Sequence, residues 1–382
     1  MTEESYDEKN FKWSKWTKNG YACVSGVAIS GDKFAAAQGR CRGEDWAEDS
    51  PMWSVKIYDM KGNGTLSLRN SKSIEKKFIR DREVEYDEGE YHVVRKEWTA
   101  AEGQSLGEYS NKFLGEIFSI AMDGNFVVAG GIENVVYLWD ISKVSDETHV
   151  EPIHILEGYK DTVNTVALMG DTIISGSSDG TVKIWNTNGL LIKSIDVGAG
   201  VSNVGMNKDI IAAAAGIGDL HVIKRTDMMG GKVNIKTIGL KKTVTGLAVG
   251  DNIIATTPDL DKEVHIRNLE GSVIRTLTLP SKDGCRGCND PDAKHLAIYG
   301  DRIAVGSKWN YGKTLTVWNI NTGELLSEMV GVHEINSVDI CHGNIVACGG
   351  NEESDKIFIL TRRDGAGGLQ RSGSNSYPKL KY

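Results

Sequence analysis

Residues 163–197 read VNTVALMGDTIISGSSDGTVKIWNTNGLLIKSIDV, and this stretch contains one complete structural unit of the chain. Four short segments rich in Val, Ile and Leu are separated by Gly170-Asp171, by Ser178-Asp179-Gly180 and by Asn188-Gly189. Gly, Asn and Asp tolerate the positive φ angles of tight hairpin turns, so these separators predict reversals of the chain. The stretch therefore predicts four short antiparallel strands in succession.

The opening phrase of this unit recurs at seven places along the 382 residues, each time before a turn that contains Gly, Asn or Asp. Its fifth residue is Ala or Gly in six copies, and a small side chain there lets strands approach where sheets converge. Repeats of roughly 40–45 residues with four strands each are typical of β-propellers. The predicted fold is therefore all-β, a seven-bladed β-propeller of four-stranded antiparallel blades. The seven phrases are VSGVAI (24–29), IFSIAM (117–122), VNTVAL (163–168), VSNVGM (201–206), VTGLAV (244–249), AKHLAI (293–298) and INSVDI (335–340).

The predicted third strands end in a recurring dipeptide of an aromatic residue followed by Asp or Asn. SGSSDGTVKIWN (175–186) and these endings resemble the WD-repeat family, and the resemblance covers about residues 11–362. It implies a platform that binds partners. The family's opening Gly-His pair is missing, and Gly158-Tyr159 stands in its place in the third unit. The family's His–Ser–Asp–Trp hydrogen-bond network is therefore expected to be incomplete throughout. The dipeptides are Tyr58-Asp59, Trp139-Asp140, Trp185-Asn186 and Trp318-Asn319.

The last unit is followed by a Gly/Ser-rich tail instead of a fourth strand. FKWSKW (11–16) lies at the usual spacing of a fourth strand before the first unit, and we predict that it closes the ring by pairing with Lys356–Thr361. Closure removes exposed sheet edges, which are a liability. The chain then divides into a flexible N-terminus (1–10), the propeller (11–362) and a flexible C-terminal tail (363–382).

One connection, at about 71–113, is much longer than the others. Arg82–Trp98 alternates in polarity around Asp87-Glu88-Gly89, which predicts a protruding hairpin. An eighth blade is the alternative, although the segment lacks both the recurring phrase and its turn.

Composition narrows the classes of function. The net charge of −8 provides no basic face for a phosphate backbone, so nucleic acid is not an expected partner. The N-terminus has no apolar signal region and no run of 18 apolar residues occurs, so we expect no membrane insertion and a cytoplasmic location, with the nucleus as the alternative. The six irregularly spaced cysteines suit reduced thiols.

The predicted binding site lies in long loops on one face. In the WD-repeat family the fourth-to-first and second-to-third connections open on the same face, here called the top. Those of units 5, 6, 7 and 1 are long, and ring closure makes these units neighbours. Aromatic and Arg side chains beside acids suit a peptide or protein ligand. Tolerated surface insertions are the alternative interpretation. The predicted partner-binding residues are Arg40, Arg42, Trp46, Asp259, Lys308, Trp309, Tyr311 and Glu352.

Cys285 and Cys288 form a CxxC pair, which is half of a zinc knuckle or a redox pair. No second pair at matching spacing occurs in the sequence, so ordinary loop thiols are the favoured interpretation and no cofactor is expected.

Two first-strand features bear on the central channel. Asp339 stands where the other phrases have Ala or Gly, and it either faces the channel or bonds a neighbouring backbone. Small polar residues share another position and are expected to line an open channel: Ser25, Asn164, Ser202, Thr245 and Asn336.

Common catalytic motifs such as GxSxG and HExxH are absent from the sequence, so no catalytic residue is predicted. The favoured function is a non-catalytic interaction scaffold or adaptor. A hydrolase or lyase with its active site at the channel mouth is the alternative.

Overall fold

The fold is described from a computed structural model. It describes residues 2–8, 11–17, 23–39, 53–60, 64–68, 78–88, 91–100, 116–143, 149–229, 233–259, 261–280, 292–308, 315–329, 334–342, 344–351 and 354–362. Among these residues, no helix is long and apolar enough to cross a membrane.

Seven four-stranded antiparallel blades form the molecule, as predicted. The first strands of successive blades pack against one another around the central axis. The first strands of blades 1 to 7 are Cys23–Ser30, Ile117–Asp123, Val163–Met169, Val201–Met206, Val244–Gly250, Asp292–Tyr299 and Glu334–Cys341. The second strands are Lys33–Gly39, Phe126–Gly131, Thr172–Ser177, Ile210–Ala215, Ile253–Pro258, Arg302–Lys308 and Asn344–Asn351.

The outer two strands complete each blade. The third strands are Trp53–Asp59, Val136–Asp140, Thr181–Asn186, Asp219–Lys224, Glu263–Asn268, Leu315–Asn319 and Ser354–Arg362. The fourth strands are Gly64–Leu68, His154–Leu156, Leu191–Asp196, Ile235–Gly239, Val273–Thr278, Leu325–Met329 and, in blade 7, Phe11–Thr17. Short 3-10 helices at Ile141–Lys143 and Arg225–Met229 follow the third strands of blades 2 and 4.

The turns between first and second strands form where the sequence predicts them. Gly31 and Gly170 have φ angles of 61° and 59°, in the left-handed region that favours glycine. The turns marked by glycine in the sequence are thus turns between first and second strands in the structure.

The ring is closed by the N-terminal strand, as predicted. Phe11–Thr17 pairs antiparallel with the third strand of blade 7, with Lys12 opposite Thr361 and Thr17 opposite Lys356. A further strand, Thr2–Glu8, pairs with Phe11–Thr17. The prediction of a flexible N-terminus at 1–10 is corrected here, because the outer edge of the closing strand offers unpaired backbone groups to which residues 2–8 bond.

Two strands lie within the long insertion. Phe78–Glu88 and Tyr91–Ala100 pair antiparallel, with Tyr86 opposite Val93, and form a two-stranded sheet of their own. The predicted C-terminal tail, 363–382, lies outside the described residues.

The hydrophobic core is divided into seven clusters, one at each junction between neighbouring blades. The cluster at the junction of blades 7 and 1 includes Phe34, Tyr58, Val346 and Ile359, all fully or almost fully buried. Burying one such side chain stabilises a fold by about 1.5–3 kcal/mol. Blade 7 therefore packs on blade 1 through an apolar cluster, as the other neighbouring blades do.

Candidate partner-binding face and central channel

Blades 2 to 5 share one hydrogen bond that shapes their top loops. In each blade, the residue directly after the second strand donates its N–H to the carbonyl oxygen of the residue directly before the first strand. The second-to-third loops of these four blades consequently begin at equivalent positions. The four bonds are Ile132 to Glu116 (2.9 Å), Ser178 to Thr162 (2.9 Å), Gly216 to Gly200 (3.1 Å) and Asp259 to Thr243 (2.8 Å).

Two of the predicted binding residues lie among the described residues. Asp259 is partly exposed in the top loop of blade 5, where its backbone makes the bond described above. Lys308 ends the second strand of blade 6, with its backbone opposite Asp292 and Glu334. The structure thus places both at the top edge of neighbouring blades. The others lie outside the described residues: Arg40, Arg42, Trp46, Trp309, Tyr311 and Glu352, together with Cys285 and Cys288.

Exposed apolar side chains on the top of blades 2 and 4 are a feature that the sequence interpretation missed. Ile132 and Ile217 lie in the second-to-third loops, and Ile217 is 85 % exposed. Phe118 of blade 2 is also exposed, at the position where five other blades carry a small polar residue. The signal was present in the sequence, because Ile217 is an apolar residue set between two glycines in a turn.

The small polar residues expected to line an open channel are partly exposed on the inner strands, and they connect the blades. Each stands at or beside a register shift in its first strand and donates a hydrogen bond to the carbonyl oxygen that opens the next blade's first strand. These five side chains therefore fasten five junctions of the inner ring. The bonds are Ser25 to Ile117 (2.6 Å), Asn164 to Val201 (2.9 Å), Ser202 to Val244 (3.3 Å), Thr245 to Ala293 (3.2 Å) and Asn336 to Val24 (3.2 Å).

Asp339 makes a comparable connection between blades 7 and 1. Its Oδ2 accepts the N–H of Ile29 at 2.9 Å, and its Oδ1 accepts the N–H of Ile340 at 2.8 Å. Of the two predicted roles, bonding a neighbouring backbone is confirmed. Burial raises the pKa of this carboxyl to about 6, although both N–H groups favour its charged form. Part of the residue's surface remains accessible, which limits the desolvation.

Replacing Asp339 by Asn is expected to remove a pH dependence of stability. An unfolded Asp titrates near pH 3.9, so the folded protein holds the proton more tightly and stability falls as the pH rises from about 4 through about 6. Asn retains an acceptor for Ile29 without the charge. The free energy of unfolding of Asp339→Asn, relative to that of wild type, should therefore increase by about 1–2 kcal/mol as the pH rises through this window. Urea unfolding of both proteins at several pH values measures the difference. A difference that stays constant with pH contradicts the expectation.

Blade 3 contains a buried hydrogen-bond network of Tyr159, Ser175 and Trp185, although the family's His is absent. The Tyr159 hydroxyl lies 2.6 Å from Ser175 Oγ and accepts the Trp185 Nε1–H at 2.9 Å. Asp179 Oδ2 accepts the N–H of Lys160 beside it at 2.8 Å. Tyr159 thus takes the place of the family's His. Burial raises the pKa of Tyr159 above its ordinary value, so the hydroxyl remains protonated.

Blade 5 has Arg267 where blade 3 has Trp185. Its buried guanidinium donates to Thr256 Oγ1 at 3.1 Å and to the Gly271 carbonyl at 3.0 Å. Burial lowers the pKa of Arg267. His265 lies 3.2 Å from this guanidinium and 3.1 Å from Glu263. The polar cluster is therefore contained within one blade.

His221 in blade 4 also has a partner in its own blade. The residue is buried, and its Nδ1 lies 3.0 Å from Thr237 Oγ1 on the fourth strand. Burial lowers the pKa of His221, with Asp219 opposing the shift. This environment keeps the imidazole neutral near pH 7.

Comparison with known proteins agrees with this geometry. The family model "WD domain, G-beta repeat" matches residues 150–186, the segment that includes the blade 3 network. The chain is a seven-bladed β-propeller, and its third blade matches the WD-repeat family model. The propeller is 26 % identical over 211 residues to WD repeat-containing protein 37 of Homo sapiens, a match covering 53 % of this chain and 32 % of that protein. It is 30 % identical over 92 residues to "Cell division cycle 20.1, cofactor of APC complex" of Arabidopsis thaliana, covering 22 % and 20 %.

Solved structures resemble the propeller over most of its length. "Structure of U3-55K" has a TM-score of 0.65 at 13 % identity and covers 91 % of this chain and 98 % of that one. The WD40 β-propeller domain of Doa1 has a TM-score of 0.57 at 16 % identity, covering 92 % and 96 %. These likenesses show the fold. The chain spans about a third or less of the length of the two curated relatives above.

Proposed function

We propose that this WD-repeat propeller is a non-catalytic interaction scaffold or adaptor. Its ligand is a peptide or protein segment bound on the top face, in the arc of blades 5, 6, 7 and 1. In this proposal the protein acts in the cytoplasm or the nucleus as part of a complex. It does not bind nucleic acid directly. One relative is described as the cofactor of a complex, which supports a role in an assembly.

One observation carries this proposal. The polar side chains at the inner position of the blades bond to the main chain of the next blade, so they serve to hold the ring together. His221 and His265 likewise have partners in their own blades, away from the first strands. The variable parts are the top connections, and loops on a rigid scaffold are where binding residues concentrate.

Ring closure supports the proposed location. Pairing of Phe11–Thr17 with blade 7 and the apolar cluster at the junction of blades 7 and 1 make those blades neighbours. Residues 40–52, 309–314 and 352–353 connect second to third strands in blades 1, 6 and 7. The binding residues proposed are therefore Arg40, Arg42, Trp46, Asp259, Lys308, Trp309, Tyr311 and Glu352.

Replacing both Trp46 and Trp309 by Ala is expected to abolish partner capture without unfolding the ring. Aromatic anchors dominate binding energy at interfaces, where truncation costs about 2 kcal/mol or more each. The measurement is affinity purification of the tagged full chain from cells with quantitative mass spectrometry. A fall of at least tenfold in the proteins recovered with wild type is expected.

The matched control is the double variant Ile132→Ala and Ile217→Ala, which changes two exposed residues on the tight-loop side of the same face. It should retain the wild-type partners. Unchanged capture by a Trp46, Trp309 variant with wild-type thermal stability would refute the proposed surface.

A further inference from the structure

The chain itself adds a fifth strand to the outer edge of two blades. Thr2–Glu8 pairs antiparallel with the outer strand of blade 7. His149–Val150, from the connection that follows the third strand of blade 2, pairs parallel with Gly64–Leu68, the outer strand of blade 1. Over the part of the chain that the structure describes, blades 3, 4 and 5 have four strands each. The outer edge of a blade in this molecule can therefore accept an extended segment.

The outer edge of blade 3 carries exposed apolar residues. Leu190, Leu191 and Ile192 are consecutive and are 63 %, 47 % and 43 % exposed. Single exposed apolar residues are ordinary, whereas Leu190 in the turn and Leu191 and Ile192 on the strand together form one apolar patch at this edge. The edge therefore has the composition of a contact surface.

The backbone of this edge is oriented to bond outward. Val197 donates its N–H to the Gly180 carbonyl at 2.9 Å, toward the interior of the blade. Because successive residues of a strand alternate, Ile195 also directs its N–H inward, whereas Ser194 and Asp196 direct theirs outward. Ser194 thus presents a backbone donor and acceptor at the centre of the strand Leu191–Asp196.

We propose that the outer edge of blade 3 binds an extended segment of another protein as a fifth strand. Backbone hydrogen bonds to Ser194 and Asp196 supply the affinity. Apolar, β-branched side chains of the segment cover Leu191 and Ile192, as in strand addition to other open sheets. This surface is on the rim of the propeller and is separate from the top-face site proposed above.

A second copy of this chain fits the edge less well. In a two-fold antiparallel pairing centred on Ser194, Ile192 of one copy would stand opposite Asp196 of the other. Two chains of net charge −8 also repel each other. The surface therefore favours a different, apolar partner segment.

The test replaces Ser194 by Pro. Proline lacks the N–H and is tolerated on edge strands where that group faces solvent, so the blade should still form. Ser194→Ala is the matched control, because both variants lose the bond from Lys183 Nζ to Ser194 Oγ, which measures 3.0 Å. The probe is a phage-displayed library of ten-residue peptides, selected on the wild-type chain.

Enriched peptides should contain alternating β-branched residues, bind wild type and Ser194→Ala alike, and bind Ser194→Pro at least tenfold more weakly. They should also slow amide exchange at Ser194 and Asp196. Absence of enriched peptides, or equal binding to Ser194→Pro when it melts like the Ala control, overturns the proposal. A wild-type dimer that Ser194→Pro converts to monomer overturns it in favour of self-association.

Discussion

Deleting residues 1–17 is expected to open the ring and to cost about 4 kcal/mol of unfolding free energy. Each cross-strand pair contributes roughly 0.2–1 kcal/mol, and the deletion removes the seven-residue strand that completes blade 7. The exposed edge of Ser354–Arg362 should also promote association between chains. Thermal and urea unfolding, with light scattering, measure both effects.

A shorter deletion provides the control. Removing residues 1–10 takes away Thr2–Glu8 but leaves the closing strand Phe11–Thr17 in place. This variant should lose little stability, because the four strands of blade 7 remain. Equal stability of the two deletion variants would contradict closure by Phe11–Thr17.

Replacing Tyr159 by Phe is expected to destabilise the propeller by about 2 kcal/mol. The change leaves the buried Nε1–H of Trp185 without its acceptor and removes the hydroxyl contact of Ser175. An unsatisfied buried polar group costs about 1–3 kcal/mol. The contact of Lys183 with the aromatic ring, with Nζ 5.3 Å from its centroid, is retained by Phe, so the loss reports the hydroxyl.

Tyr159→His tests whether the residue occupies the position of the family's His. A ring nitrogen can accept from Trp185, so this variant should lie within about 1 kcal/mol of wild type. Chemical denaturation of the three proteins at pH 7.5 gives the comparison. Wild-type stability in Tyr159→Phe, or a His variant weaker than the Phe variant, would contradict the network's role.

Strand positions were predictable from the sequence because turn chemistry and apolar runs are local signals. The strands Ile117–Asp123, Val163–Met169 and Val201–Met206 begin where the recurring phrases begin. Closure was predictable for a related reason. FKWSKW precedes the first phrase at the spacing of a fourth strand, and an open propeller would expose two edges.

Contacts between blades were not predictable, because they join residues that are distant in sequence. Asn336 bonds the carbonyl of Val24, and Asp339 bonds the N–H of Ile29. From the sequence alone, a polar residue on an inner strand is equally consistent with lining the channel and with bonding the backbone of the next blade. The sequence places Tyr159 at the position of the family's His, but its bond was not predicted, because a phenol and an imidazole differ as sequence letters yet offer the same acceptor to Trp185.

Ring closure matters most, because it makes blades 7 and 1 neighbours and the proposed binding arc depends on that. The most direct test pairs Thr17→Cys with Lys356→Cys, which stand opposite each other in the closing sheet. Directly opposed antiparallel residues have Cα atoms about 4.5–5.5 Å apart, within reach of a disulfide. The control pairs Thr17→Cys with Thr361→Cys, which lies five residues further along, about 17 Å away. Peptide mapping after mild oxidation should find the disulfide in the first pair and not in the second. Its absence from the first pair, or equal formation in both, would contradict closure by the N-terminal strand.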